Sequence, residues 1–133
     1  MNRISIAVLT ACAIVLLAAC KPDLLSTIKD AESVNVYLYK SDKAVDRVVD
    51  KRVIKRNTAG YKAIVDWAKK NQSDWQPTTA TYPPILLIEC EGYSLNVRKD
   101  LLIFKYKDGA YSKKTTVEDY LWFKKQLGLK ELT

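Results

Sequence analysis

Ile85-Leu86-Leu87-Ile88-Glu89-Cys90-Glu91-Gly92-Tyr93-Ser94-Leu95-Asn96-Val97-Arg98 is the stretch that decides the fold. A compact apolar run meets Glu91-Gly92 and resumes as an alternation, with Tyr93, Leu95 and Val97 set against Ser94 and Asn96. A period of two puts every second side chain on one face, the signature of a strand with one side buried. The acidic-glycine step between the two runs reads as a turn, so they pair antiparallel. Downstream, Lys99-Asp100 marks a second turn and Leu101–Lys107 a third strand. Asp108-Gly109, a strong hairpin signal, closes it, and Ala110–Lys113 forms a short return strand. Upstream, Glu32–Lys40 alternates Val34, Val36 and Leu38 against Asn35, Tyr37 and Tyr39, and Ser41-Asp42-Lys43 ends it in a turn. Val49, Lys51, Val53 and Lys55 alternate with Asp50, Arg52 and Ile54, which predicts a short second strand near Lys51–Arg56.

Two segments change period. After Thr58, a capping residue, Tyr61, Ile64, Val65 and Ala68 fall at i, i+3, i+4 and i+7, the spacing of one helical face. This helix ends near Asn71, and Gln72–Pro84 is a loop punctuated by Gln76-Pro77 and Tyr82-Pro83-Pro84. Thr115 and Glu118 have the spacing of a capping box. The helix behind them carries Val117, Tyr120, Leu121 and Lys124 on one side, with Phe123 and Leu127 adjoining, and Gly128 ends it. The order predicts an α+β fold: an antiparallel sheet of four to five strands with two helices packed on one face. The other face is expected to be more polar, and either solvated or used for binding.

The N-terminus follows different rules. Arg3 precedes a nearly uncharged run, Ile4–Leu17, too short for a comfortable membrane span. Leu17-Ala18-Ala19-Cys20 then places two small residues before a cysteine. This resembles the lipobox of bacterial lipoproteins. The resemblance implies cleavage between Ala19 and Cys20, loss of residues 1–19 as a signal-peptide helix, and acylation of Cys20. Leu9-Thr10-Ala11-Cys12 mimics the pattern, but the apolar run upstream of it, Ile4–Leu9, is only six residues long. Lys21, rather than aspartate, follows the cysteine, and Asp23 comes two places later. In enteric-type bacteria that resembles lipoproteins sent to the outer membrane, facing the periplasm, rather than those kept at the inner one. Residues 20–31 are read as the lipidated cysteine and a tether with one short helical turn, and residues 32–133 as a single domain.

Composition narrows the chemistry. The chain has 133 residues, a net charge of +7 and no histidine. Without histidine the commonest general base and the usual zinc ligand are missing. The four glycines are isolated, so there is no phosphate-cradling loop. Glu89 and Glu91 are the nearest approach to a carboxylate pair, two places apart on a strand, and read as solvated charges. After processing only Cys20 and Cys90 remain, so no internal disulfide forms; Cys90 shares a face with Leu86 and Ile88 and reads as a buried structural thiol. The expectation is a non-enzymatic protein without cofactor or metal. Its basic pairs, such as Lys55-Arg56 and Lys69-Lys70, are scattered and make a solvated surface. The compartment and the lack of an aromatic-basic motif argue against a nucleic-acid partner.

The aromatic residues carry the functional expectation. Trp67 lies beside Ile64 and reads as core, and Trp122, beside Phe123, as half-buried. Trp75 sits in a polar loop, where a tryptophan either folds back on the core or stands out as a binding anchor. Tyr37 and Tyr39 alternate with the valines of their strand; facing away from the helices, they would form an aromatic strip. Tyr37, Tyr39 and Trp75 are the candidate contacts to a protein partner. In general design, a small lipidated periplasmic domain without catalytic residues resembles immunity lipoproteins and periplasmic enzyme inhibitors. The known lysozyme-inhibitor families usually carry disulfides, which this chain lacks. The alternative is an accessory lipoprotein of outer-membrane or envelope assembly or maintenance.

Overall fold

The structure, a computed structural model, describes residues 23–42, 45–107 and 109–130. The expected signal segment, its cleavage site at Ala19 and Cys20, and the acylation of Cys20 lie outside these residues. The elements are α1 (Leu24–Lys29), β1 (Ser33–Asp42), β2 (Val45–Lys55), α2 (Ala59–Lys70), β3 (Gln76–Pro77), β4 (Leu86–Cys90), β5 (Tyr93–Val97), β6 (Leu101–Tyr106), β7 (Gly109–Lys114) and α3 (Val117–Gln126). The fold is α+β, with one antiparallel sheet in the order β2-β1-β4-β5-β6-β7-β3. The sheet has seven strands and the described residues contain three helices, more than the four to five strands and two helices expected.

The alternation places the core. Val34, Val36 and Leu38 from β1, Leu86 and Ile88 from β4, Leu95 and Val97 from β5, and Leu102 and Phe104 from β6 share one face and are buried. Helix α2 lays Tyr61, Ile64, Trp67 and Ala68 on that face, and α3 adds Tyr120 and Phe123. Trp67 meets the edge of the Phe123 ring, with centroids 5.0 Å apart. Thr58 caps α2 as the sequence indicates, its hydroxyl accepting from the Tyr61 amide.

Three expectations are corrected. Residues 24–31 are not tether: Leu24 and Ile28 are fully buried, and the Tyr61 hydroxyl donates to the backbone carbonyls of Ile28 and, at 2.9 Å, Ala31. Leu24 and Ile28 are four residues apart, one helical turn, and a six-residue helix is too short to advertise itself by periodicity. Strand β2 is not short; it runs eleven residues, pairing with β1 from Ser33↔Lys55 to Asp42↔Val45, with a register shift at Leu38/Tyr39. Its charged side chains hid it: Asp50 and Arg52 stand opposite Leu38 and Val36, and so on the helix face, ion-paired at 3.5 Å. The Lys130 amide also donates to Asp50 at 3.0 Å, so the segment after α3 ties β2 down. The capping box of α3 sits one residue later than expected, between Thr116 and Asp119.

The remaining surprise is β3. Gln76-Pro77, read as loop, pairs with Ser112 and Tyr111 at the far edge of the sheet. The next strand in the chain, β4, lies between β1 and β5. The segment 78–85 therefore returns across the sheet, over the face opposite the helices.

If α1 is a structural part of the domain, Ile28→Ala should lower unfolding stability by about 2–5 kcal/mol, the range for emptying a packed aliphatic site. Denaturant midpoints measure it. A loss under about 0.5 kcal/mol, the range of neutral surface substitutions, would mean that α1 is tether after all.

Candidate functional site

The face opposite the helices is divided in two. On the β5–β6 half the returning segment acts as a strap. The Asn96 side chain holds it at both ends of one amide: Oδ1 accepts from the Ile85 amide at 3.1 Å, and Nδ2 donates to the Pro83 carbonyl at 3.2 Å. Arg98 also donates to the Pro83 carbonyl, and its guanidinium lies 5.4 Å from the centroid of the Tyr82 ring. Asn96 and Ile103, which face away from the core, are buried. A cavity of about 220 Å³ remains under the strap, with Tyr82, Leu87, Ile103 and Lys105 in its lining.

Among the described residues no segment crosses the β1–β2 half. Tyr37 and Tyr39 lie side by side on it, ring centroids 6.3 Å apart. Lys51, directly opposite Tyr37 on β2, holds its ammonium 5.4 Å from the Tyr37 ring centroid. Such a contact at an exposed site is worth about 0.5–1 kcal/mol and orders the ring. Val48 stands opposite Tyr39 and Val53 opposite Asn35, and these valines are 44% and 55% exposed. The result is a continuous aromatic-aliphatic strip with one cation. Sequence reading found Tyr37 and Tyr39 but missed Val48, Lys51 and Val53. Their place on the strip depends on the register of β1 with β2, which the charges of β2 obscure.

Trp75 is elsewhere. It is 7% exposed, its indole N–H donates to the Asn71 carbonyl at 2.6 Å, and its ring is 6.1 Å from that of Phe104. Phe104 belongs to the helix-side core, so Trp75 closes the core on the side away from the tyrosine pair. The structure thus resolves the two alternatives for this loop residue as a lid, and separates it from Tyr37 and Tyr39.

The remaining candidates fall apart as chemistry. Glu89 lies on the open face, but Glu91 lies in the β4–β5 turn beside Gly92, whose φ of 92° suits glycine. Cys90 keeps the side expected for it but is half-buried rather than buried. Among the described residues no cluster of histidine, cysteine and carboxylate side chains could hold a metal ion. Helix α3 shows Val117, Leu121 and Trp122 to solvent, Trp122 being more exposed than expected while still edge-on to Phe123 at 5.0 Å. Comparison with protein-family models, curated proteins and solved structures found no match to this chain.

Burial raises the ionisation of two tyrosines. The Tyr93 hydroxyl is buried with no hydrogen-bond partner among the described residues, and burial, followed by the nearby Cys90 and Tyr61, pushes its ionisation well above the ordinary phenol range. Tyr61 is shifted the same way, mainly by burial. A raised phenol leaves stability unchanged below the unfolded-state value near pH 10 and erodes it as pH rises from there through the folded-state value. Tyr93→Phe removes an unsatisfied hydroxyl, so the variant should be at least as stable at neutral pH, with a gain of up to about 1–3 kcal/mol. It should also lose less stability than the parent above pH 10. Urea titrations at neutral and alkaline pH check both; a loss of more than about 1 kcal/mol at neutral pH, comparable to a broken hydrogen bond, would show that the hydroxyl has a partner.

Proposed function

We propose that this chain is a non-enzymatic, lipid-anchored envelope protein that captures another protein with the open half of its sheet. The observation that carries the reading is the strip of Tyr37, Tyr39, Val48, Lys51 and Val53, over which no described segment passes while a strap covers the neighbouring half of the same face. Tyrosines and valines on a rigid strand pair offer apolar area at little conformational cost, and Lys51 adds a charge at the centre. Leu17-Ala18-Ala19-Cys20 supports the anchor, with Lys21 favouring the outer membrane and a periplasm-facing domain. The lack of histidine supports a binding role over catalysis. In this reading the protein acts as an immunity or inhibitor lipoprotein, neutralising its target by occupying it. Tyr37 and Tyr39 carry the partner contacts; Trp75, buried on the core side, stabilises the domain.

Two measurements check this. The intact mass of protein purified from membranes should show residues 1–19 removed and acyl chains on Cys20, and Cys20→Ser should abolish both. Once a partner has been captured, Tyr37→Ala with Tyr39→Ala should weaken its binding by about 2 kcal/mol or more, the scale of an aromatic anchor. Leu121→Ala, on α3, should leave it unchanged. Equal loss from both would place the interface elsewhere.

A further inference from the structure

On the helical side, a groove of about 490 Å³ runs between α1 and α2. Lys29 from α1, Arg56, and Lys62 and Lys69 from α2 line it, with Val65 and the single carboxylate of Asp66. At its rim Arg56 faces the highly exposed Glu32 at 3.8 Å. Four cations against two carboxylates leave the groove with a net positive charge. The other salient fact is chain length. Only Lys21, Pro22 and Asp23 separate Cys20 from Leu24, which is fully buried. Four residue steps span at most about 14 Å. Helix α1, six residues long, then carries the chain a further ~9 Å to Lys29. A chain acylated at Cys20 has no slack to hold its domain away from the bilayer.

We propose that the α1–α2 groove is a docking site for the phosphate headgroups of anionic phospholipid in the membrane that holds Cys20. The inference rests on the anchored reading above and adds an orientation to it. Headgroup phosphates supply the complementary charge, and each cation near an anionic surface strengthens attachment by a factor of about five. The effect is local, because charges are screened beyond about 8–10 Å at physiological salt. Val65, partly buried in the groove, offers an apolar floor for the glycerol backbone of the lipid. Docking through the helical side leaves the opposite face of the sheet, with Tyr37 and Tyr39, turned away from the bilayer. Lipid attachment and protein capture then use opposite sides of one domain.

The test uses the protein purified from membranes, its Cys20 acylation read first by intact mass. It is placed in vesicles of phosphatidylcholine alone and in vesicles that also contain phosphatidylglycerol, and lysine acetylation rates are read by mass spectrometry. Lys29, Lys62 and Lys69 should be protected about fivefold or more only where phosphatidylglycerol is present. Lys99, Lys105 and Lys125, outside the groove, should react alike in both. Arg56→Gln with Lys62→Gln, both exposed positions whose folding circular dichroism confirms, should cut the protection of Lys29 and Lys69 about fivefold or more. Acylated protein with equal rates in both vesicles overturns the docking site and leaves the anchor standing. Protection in phosphatidylcholine vesicles on adding glycerol phosphate assigns the groove to a free anion and also overturns it. Protein without acyl mass overturns the anchor, and the docking site with it.

Discussion

Between Pro77 at the edge strand β3 and Leu86 at the start of β4, the chain must cross three strands of its own sheet, β7, β6 and β5, which is four inter-strand spacings. At about 4.8 Å between neighbouring strands that is roughly 19 Å, and the nine residue steps available reach at most about 30 Å. The helical face is already filled by α1, α2 and α3, so the crossing lies on the other face. This one passage sets the character of both sides. It closes one half of the open face with Tyr82, Pro83 and Pro84, and it does not reach the β1–β2 half. A strap over a sheet needs partners for its backbone groups, because burying them unpaired is costly. Asn96 supplies an acceptor and a donor from one amide, and Arg98 a second donor. Asn96, a buried polar residue of β5, is thus what fixes the strap.

The division of the face also separates two kinds of aromatic residue. Trp75, just before the strap, is drawn into the core with its N–H satisfied by Asn71. Tyr37 and Tyr39, beyond the reach of the strap, remain half-buried beside Lys51. Lys113 reaches back from β7 to the Ser73 carbonyl at 2.9 Å, holding the loop that carries Trp75. The loop and the strap together close one end of the sheet. Among the described residues, the β1–β2 hairpin at the other end pairs only with itself beyond Tyr39 and Ile85.

Much of this was legible in the sequence, and the failures have physical causes. Periodicity placed β1, β4, β5 and β6, because their alternating residues pack on a single core. It placed α2 and its Thr58 cap, because that helix has a clean apolar face. It shortened β2, whose charges lie on both faces and whose strand character comes from pairing with β1. It missed β3, two residues held only by their partner strand. It read α1 as a tether with one short helical turn, since Leu24 and Ile28 alone do not reveal that the turn packs into the core. On the open face it identified Tyr37 and Tyr39 but not their neighbours, because a cross-strand neighbour is set by register and not by sequence separation. Trp75 shows the converse: a polar loop around a tryptophan does not reveal which way the ring turns.

The most direct measurement is site-specific photocrosslinking in living cells, with a photoreactive residue replacing Tyr37, Tyr39 or Val53 on the open strip, and Leu121 or Lys125 on α3 as comparison sites. The expected result is one and the same envelope protein crosslinked from all three strip positions and from neither helix position. Capture from Leu121 or Lys125 with none from Tyr37 and Tyr39 would contradict the assignment of the open face.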